Sequence, residues 1–283
     1  MKKTALSILL LVLVVFTAAC SSNTTSGKEK DTESETKHIK IGITGTDTRT
    51  WDFVAEKAAK EGIEIELVSF SDYVLPNTAL ADGELDANSF QTVAYFDQFI
   101  AEHNLDLVPI ATTYLAPMAI YSDKLKDVKE IKDGAKIALP NDMSNQGRAL
   151  LLLQEAGLLK LVDNYDGLAS IEEAVVENPK NLELIPTAPA QIPRALPDVD
   201  AGVINNGFAR DAGLNPINDS IFHESETAID YLNIIAVNKE DQDNATLKRI
   251  AELFQEDDTA EFINKEFGGT LIPTFVPLEK IGW

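Results

Sequence analysis

Cysteine, histidine and arginine are all scarce in this sequence of 283 residues. The single cysteine rules out a disulfide within the chain and a zinc site with several cysteine ligands. Of the three histidines, only His103 and His223 lie in the body of the chain, and two histidines so far apart offer little to a metal ion. Lysine and arginine total 24 against 46 acidic residues, and the resulting charge of −22 argues against binding to nucleic-acid phosphates.

Motifs for catalysis and nucleotide binding are absent too. The sequence contains no G-x-S-x-G, G-x-x-x-x-G-K-[ST], G-x-G-x-x-G or H-E-x-x-H. A hydrolytic function lacks a nucleophile with its base, and we predict no enzyme activity, no cofactor and no metal. With 45% hydrophobic and 25% charged residues, the composition is that of a globular protein of roughly one or two domains.

The first twenty residues have the features of a sorting signal. Two lysines precede a run of 12 residues, 5–16, that is apolar except for one serine. This run has the length of a signal-peptide core and falls short of the roughly 20 residues of a membrane span. Three small residues and then Cys20 follow, which resembles a bacterial lipobox, although a threonine stands where that pattern has an aliphatic residue. We predict a lipoprotein signal peptide over 1–19; the alternative is a plain secretory peptide with an incidental cysteine.

A polar segment separates the signal from the folded body. Residues 21–37 contain no hydrophobic residue, and such a segment behaves as a flexible coil with a reach of roughly 20–25 Å. We predict that lipidated Cys20 and a tether, 20–37, hold the body at the extracytoplasmic face of the cell membrane. Cleavage of the signal peptide would leave 22 basic and 46 acidic residues, a charge of −24.

Hydrophobic periodicity predicts an α/β fold. Segments 39–43, 63–67 and 85–90 are typical of strands, and helical spacing marks 51–61 between the first two. The same order restarts with a strand over 136–139, so two α/β units fit the length. This rhythm predicts a mainly parallel sheet with helices on both faces. Ligands of such folds bind beyond the carboxyl ends of strands, often between domains.

Arg148 is the candidate for binding a charged ligand group. Arginine occurs at only five positions, and Arg148 follows a predicted strand and a polar loop, in the first turn of a helix. Unpaired backbone N–H groups at such a place, together with a planar guanidinium, suit a carboxylate. The alternative is a surface arginine paired with one of the many acids.

Aromatic and amide side chains lie at other predicted strand ends. Tyr73 and Phe90 are placed where rings facing a cleft suit an apolar ligand tail, with a place in the core as the alternative for Phe90. Asn205 and Asn233 each put an amide beside an apolar strand, where an unpaired buried amide costs stability. Their oxygens suit an ammonium group; the alternative is ordinary turn chemistry at a strand end.

The body of the chain contains, in this order, the segments 73–77 (YVLPN), 83–91 (GELDANSFQ), 138–142 (ALPND), 147–154 (GRALLLLQ), 176–182 (VENPKNL), 190–194 (AQIPR), 203–205 (VIN), 231–235 (YLNII) and 282–283 (GW). Together these segments resemble the NlpA/MetQ family of lipoproteins, which bind methionine for an ABC importer. The resemblance covers about residues 39–283. It implies a two-lobed periplasmic-binding-protein fold that closes by a hinge, with lobe one at 38–115 plus 235–283 and lobe two at 116–234.

The resemblance also implies a role for each candidate residue. Arg148 would bind the ligand carboxylate, and Asn205 and Asn233 would hold its polar end, Asn233 being the more sensitive position. The side-chain pocket would be lined by three aromatic residues, Tyr73, Phe90 and Tyr95.

One part of the family pattern is altered. The usual F-Q-H-x-P-Y is here Phe90-Gln-Thr92-Val-Ala94-Tyr95, so that Thr92 replaces a pocket histidine and Ala94 replaces a proline. The side-chain pocket therefore differs while the amino-acid backbone site is kept. D-methionine, a related thioether and a short methionine-containing peptide are candidates beside L-methionine.

The sequence thus supports a lipid-anchored, monomeric substrate-binding protein that delivers methionine or a close relative to an ABC permease and its ATPase. The alternative is a surface adhesin or interaction lipoprotein that keeps the fold without transport. A large exposed apolar run would favour that alternative, and the sequence shows none.

Overall fold

A computed structural model describes residues 36–225 and 228–283 of the chain. The predicted signal peptide, 1–19, and the predicted lipidation site, Cys20, lie outside the described residues. The predicted tether, 20–37, does so too except for its end, because Lys37 is the first residue of a strand. Within the described ranges, no helix combines the length and the apolar character that crossing a membrane requires.

The described residues form short strands and helices in alternation. The strands are β1 (Lys37–Thr44), β2 (Ile63–Phe70), β3 (Ala87–Asn88), β4 (Leu107–Leu115), β5 (Ala119–Tyr121), β6 (Lys136–Pro140), β7 (Lys160–Leu161), β8 (Val175–Glu177), β9 (Glu183–Thr187), β10 (Ala201–Ile204), β11 (Phe222–His223), β12 (Leu232–Asn238) and β13 (Ile272–Pro273). The helices are α1 (Arg49–Ala59), α2 (Leu75–Ala81), α3 (Val93–His103), α4 (Met143–Glu155), α5 (Ile171–Ala174), α6 (Ile192–Ala195), α7 (Asn206–Asp211), α8 (Ala245–Phe254) and α9 (Asp257–Phe267).

Among the described residues, eleven strands form two mixed sheets, and β7 and β8 pair as a separate antiparallel sheet of two strands. The larger sheet has the order β13-β4-β12-β3-β1-β2, and the smaller has the order β11-β5-β10-β6-β9. Parallel pairing is limited to β2-β1-β3 in the larger sheet and to β10-β6-β9 in the smaller. The prediction of a mainly parallel sheet is therefore wrong. The physical reason is that the chain leaves the larger sheet along β4 and returns along β12, and two such strands side by side are antiparallel.

Each sheet is covered by helices on both faces, as the alternation of apolar residues requires. In β12, Ile235 and Val237 face the core formed with α1, α8 and α9, whereas Ile234 and Ala236 face the core formed with α2 and α3. In the smaller sheet, α4 packs on one face, and α6 and α7 pack on the other. Strands buried on both faces read as continuous apolar runs, which explains the sequence of β12.

The predicted strands at 39–43, 63–67 and 136–139 and the predicted helix at 51–61 are confirmed within two or three residues. The predicted strand at 85–90 shrinks to the two residues of β3. The backbone on either side of β3 still follows β1, because Asp86 N donates to Lys40 O and Ser89 N donates to Gly42 O.

Candidate functional site

A cavity of about 90 Å³ lies where strands of both sheets end. Because one water needs about 10–15 Å³ of such space, the cavity has room for a small molecule. Its walls include all six residues that the sequence singled out as ligand-binding, namely Tyr73, Phe90, Tyr95, Arg148, Asn205 and Asn233. They belong to elements of both sheets, so the fold brings together residues that are far apart in the sequence. Their contact with a ligand stays a prediction.

Arg148 lies in α4 and is 4% exposed, so it is no surface arginine. Its Nε donates to Glu224 Oε1 at 2.6 Å and its Nη2 donates to Glu224 Oε2 at 2.7 Å, which makes a bidentate ion pair. Nη2 also donates to Ala116 O at 2.9 Å, and the guanidinium carbon lies 4.4 Å from the centre of the Tyr231 ring. Nη1 makes no hydrogen bond to any described residue, and it is therefore the nitrogen left for a ligand.

Asn205 follows directly after β10 and precedes α7. Its side chain makes no capping hydrogen bond to that helix, which contradicts the alternative of simple turn chemistry. Instead its Nδ2 donates to Asn145 Oδ1 at 2.6 Å. Asn205 Oδ1 is buried and has no partner among the described residues. A buried acceptor without a donor costs free energy unless a ligand supplies one.

Asn145 is oriented in turn by Asp142, the residue that caps α4. Asp142 Oδ1 accepts from Asn145 N at 3.0 Å and from Asn145 Nδ2 at 2.8 Å. Burial raises the pKa of Asp142, and these two hydrogen bonds offset part of that rise. The contacts from Asp142 through Asn145 therefore fix which side-chain atom of Asn205 has no partner among the described residues.

Asn233 is the second residue of β12 and therefore belongs to the larger sheet. Its Nδ2 donates to Tyr114 O at 3.2 Å, so the side chain is held by the neighbouring strand β4. Its backbone forms an isolated bridge with Thr92. Both residues line the cavity, so this bridge joins the amide to the segment before α3.

The aromatic side of the cavity is a cluster rather than a single ring. Tyr73 lies 5.9 Å from Phe90 and 5.8 Å from Tyr95 between ring centres, distances typical of favourable aromatic pairs. Tyr95 Oη donates to Tyr73 O at 2.9 Å and fixes the two residues together. Burial, and next the charge of Asp142, raise the pKa of both tyrosines well above the usual range, so both phenols stay neutral.

Thr92 has a structural role at the position where the family pattern has histidine. It is the N-cap of α3, and its Oγ1 accepts a hydrogen bond from Tyr95 N at 3.3 Å. Threonine is a favoured N-cap residue. The substitution thus shortens the side chain at the cavity wall while it keeps the start of α3, and with it Tyr95, in place.

A buried network of three amides supports this wall from behind. Gln91 exchanges two hydrogen bonds of 2.7 Å with Asn77, and both side chains also contact Asn88 at 2.9 and 2.8 Å. All three are at most 3% exposed. Because every one of these contacts is buried, the network holds the segment that carries Phe90 and Thr92 in a single position.

The sequence did not identify three charged residues of the site. Glu224 pairs with Arg148, and Asp47 and Arg210 line the cavity as an ion pair of 2.9 Å. Glu224 follows a strand of only two residues and is one of 46 acids, so nothing in the sequence distinguishes it. Arg210 had the signal of scarcity that Arg148 had, but it lies at the end of a short helix. Arg148 is therefore not the only arginine at the cavity.

The described part of the site contains no metal-binding cluster. In the ranges 36–225 and 228–283, no group of three histidine, cysteine or acidic side chains is arranged to hold a metal ion. The polar groups of the cavity are amides, hydroxyls and paired charges, which suit a small organic molecule that carries both an acid and an amine.

Comparison with known proteins gives consistent results. Residues 39–275 match the family described as NlpA lipoprotein. A D-methionine-binding lipoprotein, MetQ, of Salmonella typhimurium is 43% identical over 242 residues, which are 84% of this chain and 88% of that protein. A nutrient binding protein from Burkholderia cenocepacia, whose structure was solved bound to methionine, is 42% identical with a TM-score of 0.80, and the match covers 84% of this chain and 100% of that one.

A further solved structure is described as an ABC transporter, periplasmic substrate-binding protein, from Coxiella burnetii. It is 35% identical with a TM-score of 0.79, and the match covers 83% of this chain and 100% of that one. These matches confirm the predicted two-lobed periplasmic-binding-protein fold and the resemblance on which it was based.

Proposed function

Since the chain belongs to the NlpA lipoprotein family, we propose that it is the substrate-binding protein of an ABC importer and that its ligand is methionine or a close relative. The observation that carries the proposal is the buried Oδ1 of Asn205, which has no partner among the described residues and lies in the same cavity as the guanidinium of Arg148. An acceptor and a donor at one cavity match the ammonium and the carboxylate of an amino acid.

The two ends of the ligand backbone would be held by different residues. Nη1 of Arg148 donates to the carboxylate, and Asn205 Oδ1 accepts from the ammonium, with the amide of Asn233 as a further polar contact. Because Arg148 is already neutralised by Glu224, the cavity carries no excess charge there and suits a zwitterion better than an anion.

The apolar end of the ligand would lie against Tyr73, Phe90 and Tyr95. A thioether sulfur gains about 0.3–1.5 kcal/mol from contact with an aromatic ring, and an unbranched side chain adapts to an irregular pocket. Thr92, shorter than histidine, leaves more space beside these rings. The identity of the best ligand among L-methionine, D-methionine, another thioether and a short methionine-containing peptide is therefore part of the test.

The chain acts by capture, closure of the lobes and handover, and it is not an enzyme. Lipidation of Cys20 after removal of residues 1–19 would anchor a monomer at the extracytoplasmic face of the cell membrane, and 20–37 would be its tether. Its partners would be a permease and the ATPase that drives it. Related proteins described as lipoproteins and as ABC-transporter binding proteins support this arrangement.

The division into lobes belongs to the same proposal. We assign the larger sheet to lobe one, 38–115 with 235–283, and the smaller sheet to lobe two, 116–234. Strand β12 enters the larger sheet at Leu232, three residues before the expected boundary. The hinge would consist of the two segments in which the chain passes between the sheets: one follows β4, and the other precedes β12.

Calorimetric titration of the full-length protein in detergent, freed of bound ligand by unfolding and refolding, tests the proposal. We expect tight binding of at least one of L-methionine, D-methionine or a methionine dipeptide, and weak binding of alanine and glutamate. The variant Asn205→Leu should bind about 10- to 100-fold more weakly, because the hydrogen bond to a charged ammonium is worth about 1.5–3 kcal/mol.

The matched control is Asn218→Ala, an exposed asparagine that does not line the cavity, which should bind like the parent. If no methionine-like ligand binds the parent protein, the proposed ligand is wrong and the alternative of an interaction lipoprotein gains support. If Asn205→Leu binds as tightly as the parent, the assignment of the ammonium contact is wrong.

A further inference from the structure

Two cavities of the described chain meet at one pair of side chains. The first is the ligand cavity; the second is a recess of about 300 Å³ that is open to solvent and is lined by Arg49, Glu266 and Phe267, among others. Asp47 and Arg210 are the residues that line both. The pair therefore forms the partition between the ligand cavity and the recess.

The side chains of Asp47 and Arg210 form an ion pair in this partition. Nη2 of Arg210 lies 2.9 Å from Asp47 Oδ2, and the guanidinium carbon lies 5.0 Å from the centre of the Phe267 ring. The two side chains are only 17% and 15% exposed, so each is fixed by its neighbours. Asp47 is held from the other side as well, because Arg49 Nε donates to its Oδ1 at 2.8 Å.

The charged groups of the partition are paired with each other, which suits the exclusion of a longer ligand rather than its binding. The carboxylate of Asp47 is used by two arginines, and Arg210 Nη1 donates to Asn206 Oδ1 at 3.4 Å. A longer ligand would have to break this paired and largely buried arrangement to reach the recess. Separating such a pair is costly, because it leaves a charge without its partner.

From this geometry we infer that the Asp47–Arg210 pair sets the length of the ligand. It ends the cavity at the size of a single amino acid and excludes the same amino acid extended by one residue. The inference rests on the proposed function and adds to it two specificity-determining residues and a size limit.

The Asp47–Arg210 pair has a second effect, on the closure of the lobes, which the experiment must distinguish from the size limit. Asp47 follows β1 of the larger sheet and Arg210 belongs to α7 of the smaller, so their contact also favours the closed arrangement of the lobes. Loss of closure weakens the binding of every ligand by the same factor. Loss of a size limit instead changes the ratio between a short and a long ligand. The ratio is therefore the quantity to measure.

The experiment is calorimetric titration of full-length parent and Arg210→Ala protein with methionine, glycyl-methionine and methionyl-glycine. We expect the parent to bind methionine at least about tenfold more tightly than either dipeptide, which corresponds to about 1.4 kcal/mol. In Arg210→Ala this preference should fall by at least about tenfold for one of the two dipeptides, because the cavity and the recess become continuous.

Arg49→Ala is the matched control. Arg49 contacts the same aspartate and the same phenylalanine ring, but it lines only the recess and is 48% exposed. Its loss should leave the ratio between methionine and dipeptides unchanged, because Asp47 still pairs with Arg210. Asp47→Ala removes the other half of the partition and should shift the ratio in the same direction as Arg210→Ala, so the test does not depend on one variant folding.

Three results would overturn the inference. A parent protein that prefers a dipeptide has no size limit at this pair, and an unchanged ratio in both partition variants shows that the pair acts only on closure. A parent protein that binds none of the three ligands, and no other methionine-like ligand in the titration of the proposed function, refutes the proposed function itself, and the size limit with it. The first two results leave the proposed function standing.

Discussion

Arg148 and Glu224 together determine the charge that the cavity presents to a ligand. The guanidinium is buried, and its two hydrogen bonds to Glu224 satisfy one face of the fork while Nη1 stays available. Glu224 Oε2 also accepts a hydrogen bond from Met118 N at 3.0 Å, so the carboxylate is fixed to the backbone between β4 and β5. A buried charge needs such compensation, because an unpaired one is several kcal/mol less favourable.

Substitution of Glu224 by glutamine should therefore destabilise the protein strongly. Glu224→Gln keeps the shape of the side chain but leaves Arg148 buried without a counter-charge. We expect the free energy of unfolding to fall by about 3–5 kcal/mol in urea denaturation at neutral pH. Glu177→Gln breaks the exposed pair with Lys160 and should change it very little. An equally small change in both variants would show that Arg148 gains no stability from Glu224.

These two residues also illustrate what sequence can reveal about a site. The place of Arg148 at the cavity could be predicted because a rare residue follows a strand and a polar loop, where local geometry favours ligand contacts. Glu224 could not, because its function depends on a contact with a residue 76 positions away. The pairing of Asp47 with Arg210, 163 positions apart, is of the same kind. Acidic residues are so frequent in this chain that their type carries no information by itself.

Helix α4 delivers both Arg148 and Asn145 to the cavity, and one glycine determines how it packs. A Cβ atom at Gly147 would lie 1.8 Å from the carbonyl oxygen of Gly167, far inside contact distance. The loop before α5 therefore lies directly on the helix backbone, one residue before Arg148. Gly167 is itself at φ +84°, a conformation that favours glycine.

Gly147→Ala should displace that loop and weaken the fold. We expect a loss of about 3 kcal/mol in the free energy of unfolding, the upper end of the cost of overpacking, because the atom in the way belongs to the backbone. Gly207→Ala is the matched control within α7, where nothing lies within 4 Å of the added methyl group. There we expect a gain of up to about 1 kcal/mol from helix propensity. Equal effects of the two substitutions in urea denaturation would contradict the close approach.

At the level of elements, periodicity predicted most strands and helices but not the direction of the strands. The residues of β12 alternate between two cores whether the strand runs parallel or antiparallel to β4, so the sequence pattern is the same for both. Direction depends on the path of the chain from one sheet to the other and back. The length of β3 is overestimated for a different reason: Asp86 and Ser89, on either side of it, hydrogen-bond to β1 through their backbone without forming a regular ladder.

At the scale of the whole molecule, a few polar contacts join the two lobes beside the cavity. Thr46 N and Oγ1 both donate to Asp211 Oδ1 at 3.0 Å, next to the pairing of Asp47 with Arg210. On another side, Ser144 N donates to Gln98 Oε1 at 2.9 Å. Such contacts are exchanged with water when lobes open, so each contributes little on balance. A binding protein that must close and reopen needs contacts of this modest strength.

The ion pair between the lobes should give the stability of the protein a characteristic pH dependence. Burial opposes ionisation of Asp47, but the hydrogen bond from Arg49 and the charges of Arg210 and Arg49 outweigh it and lower its pKa. The ionised carboxylate therefore stabilises the fold above the usual aspartate pKa of about 3.9, and this contribution is lost as the pH falls through the lower pKa of the folded state. Asp47→Asn should be less stable than the parent at neutral pH, and the difference should shrink in acid wherever both remain folded. Urea denaturation across the acid range measures this difference in the free energy of unfolding.

The control is the same substitution in an Arg49→Gln background. It should show a weaker pH dependence there, because the main cause of the lowered pKa is gone. A difference in stability that is independent of pH in the parent background would mean that Asp47 contributes no charge interaction to the fold.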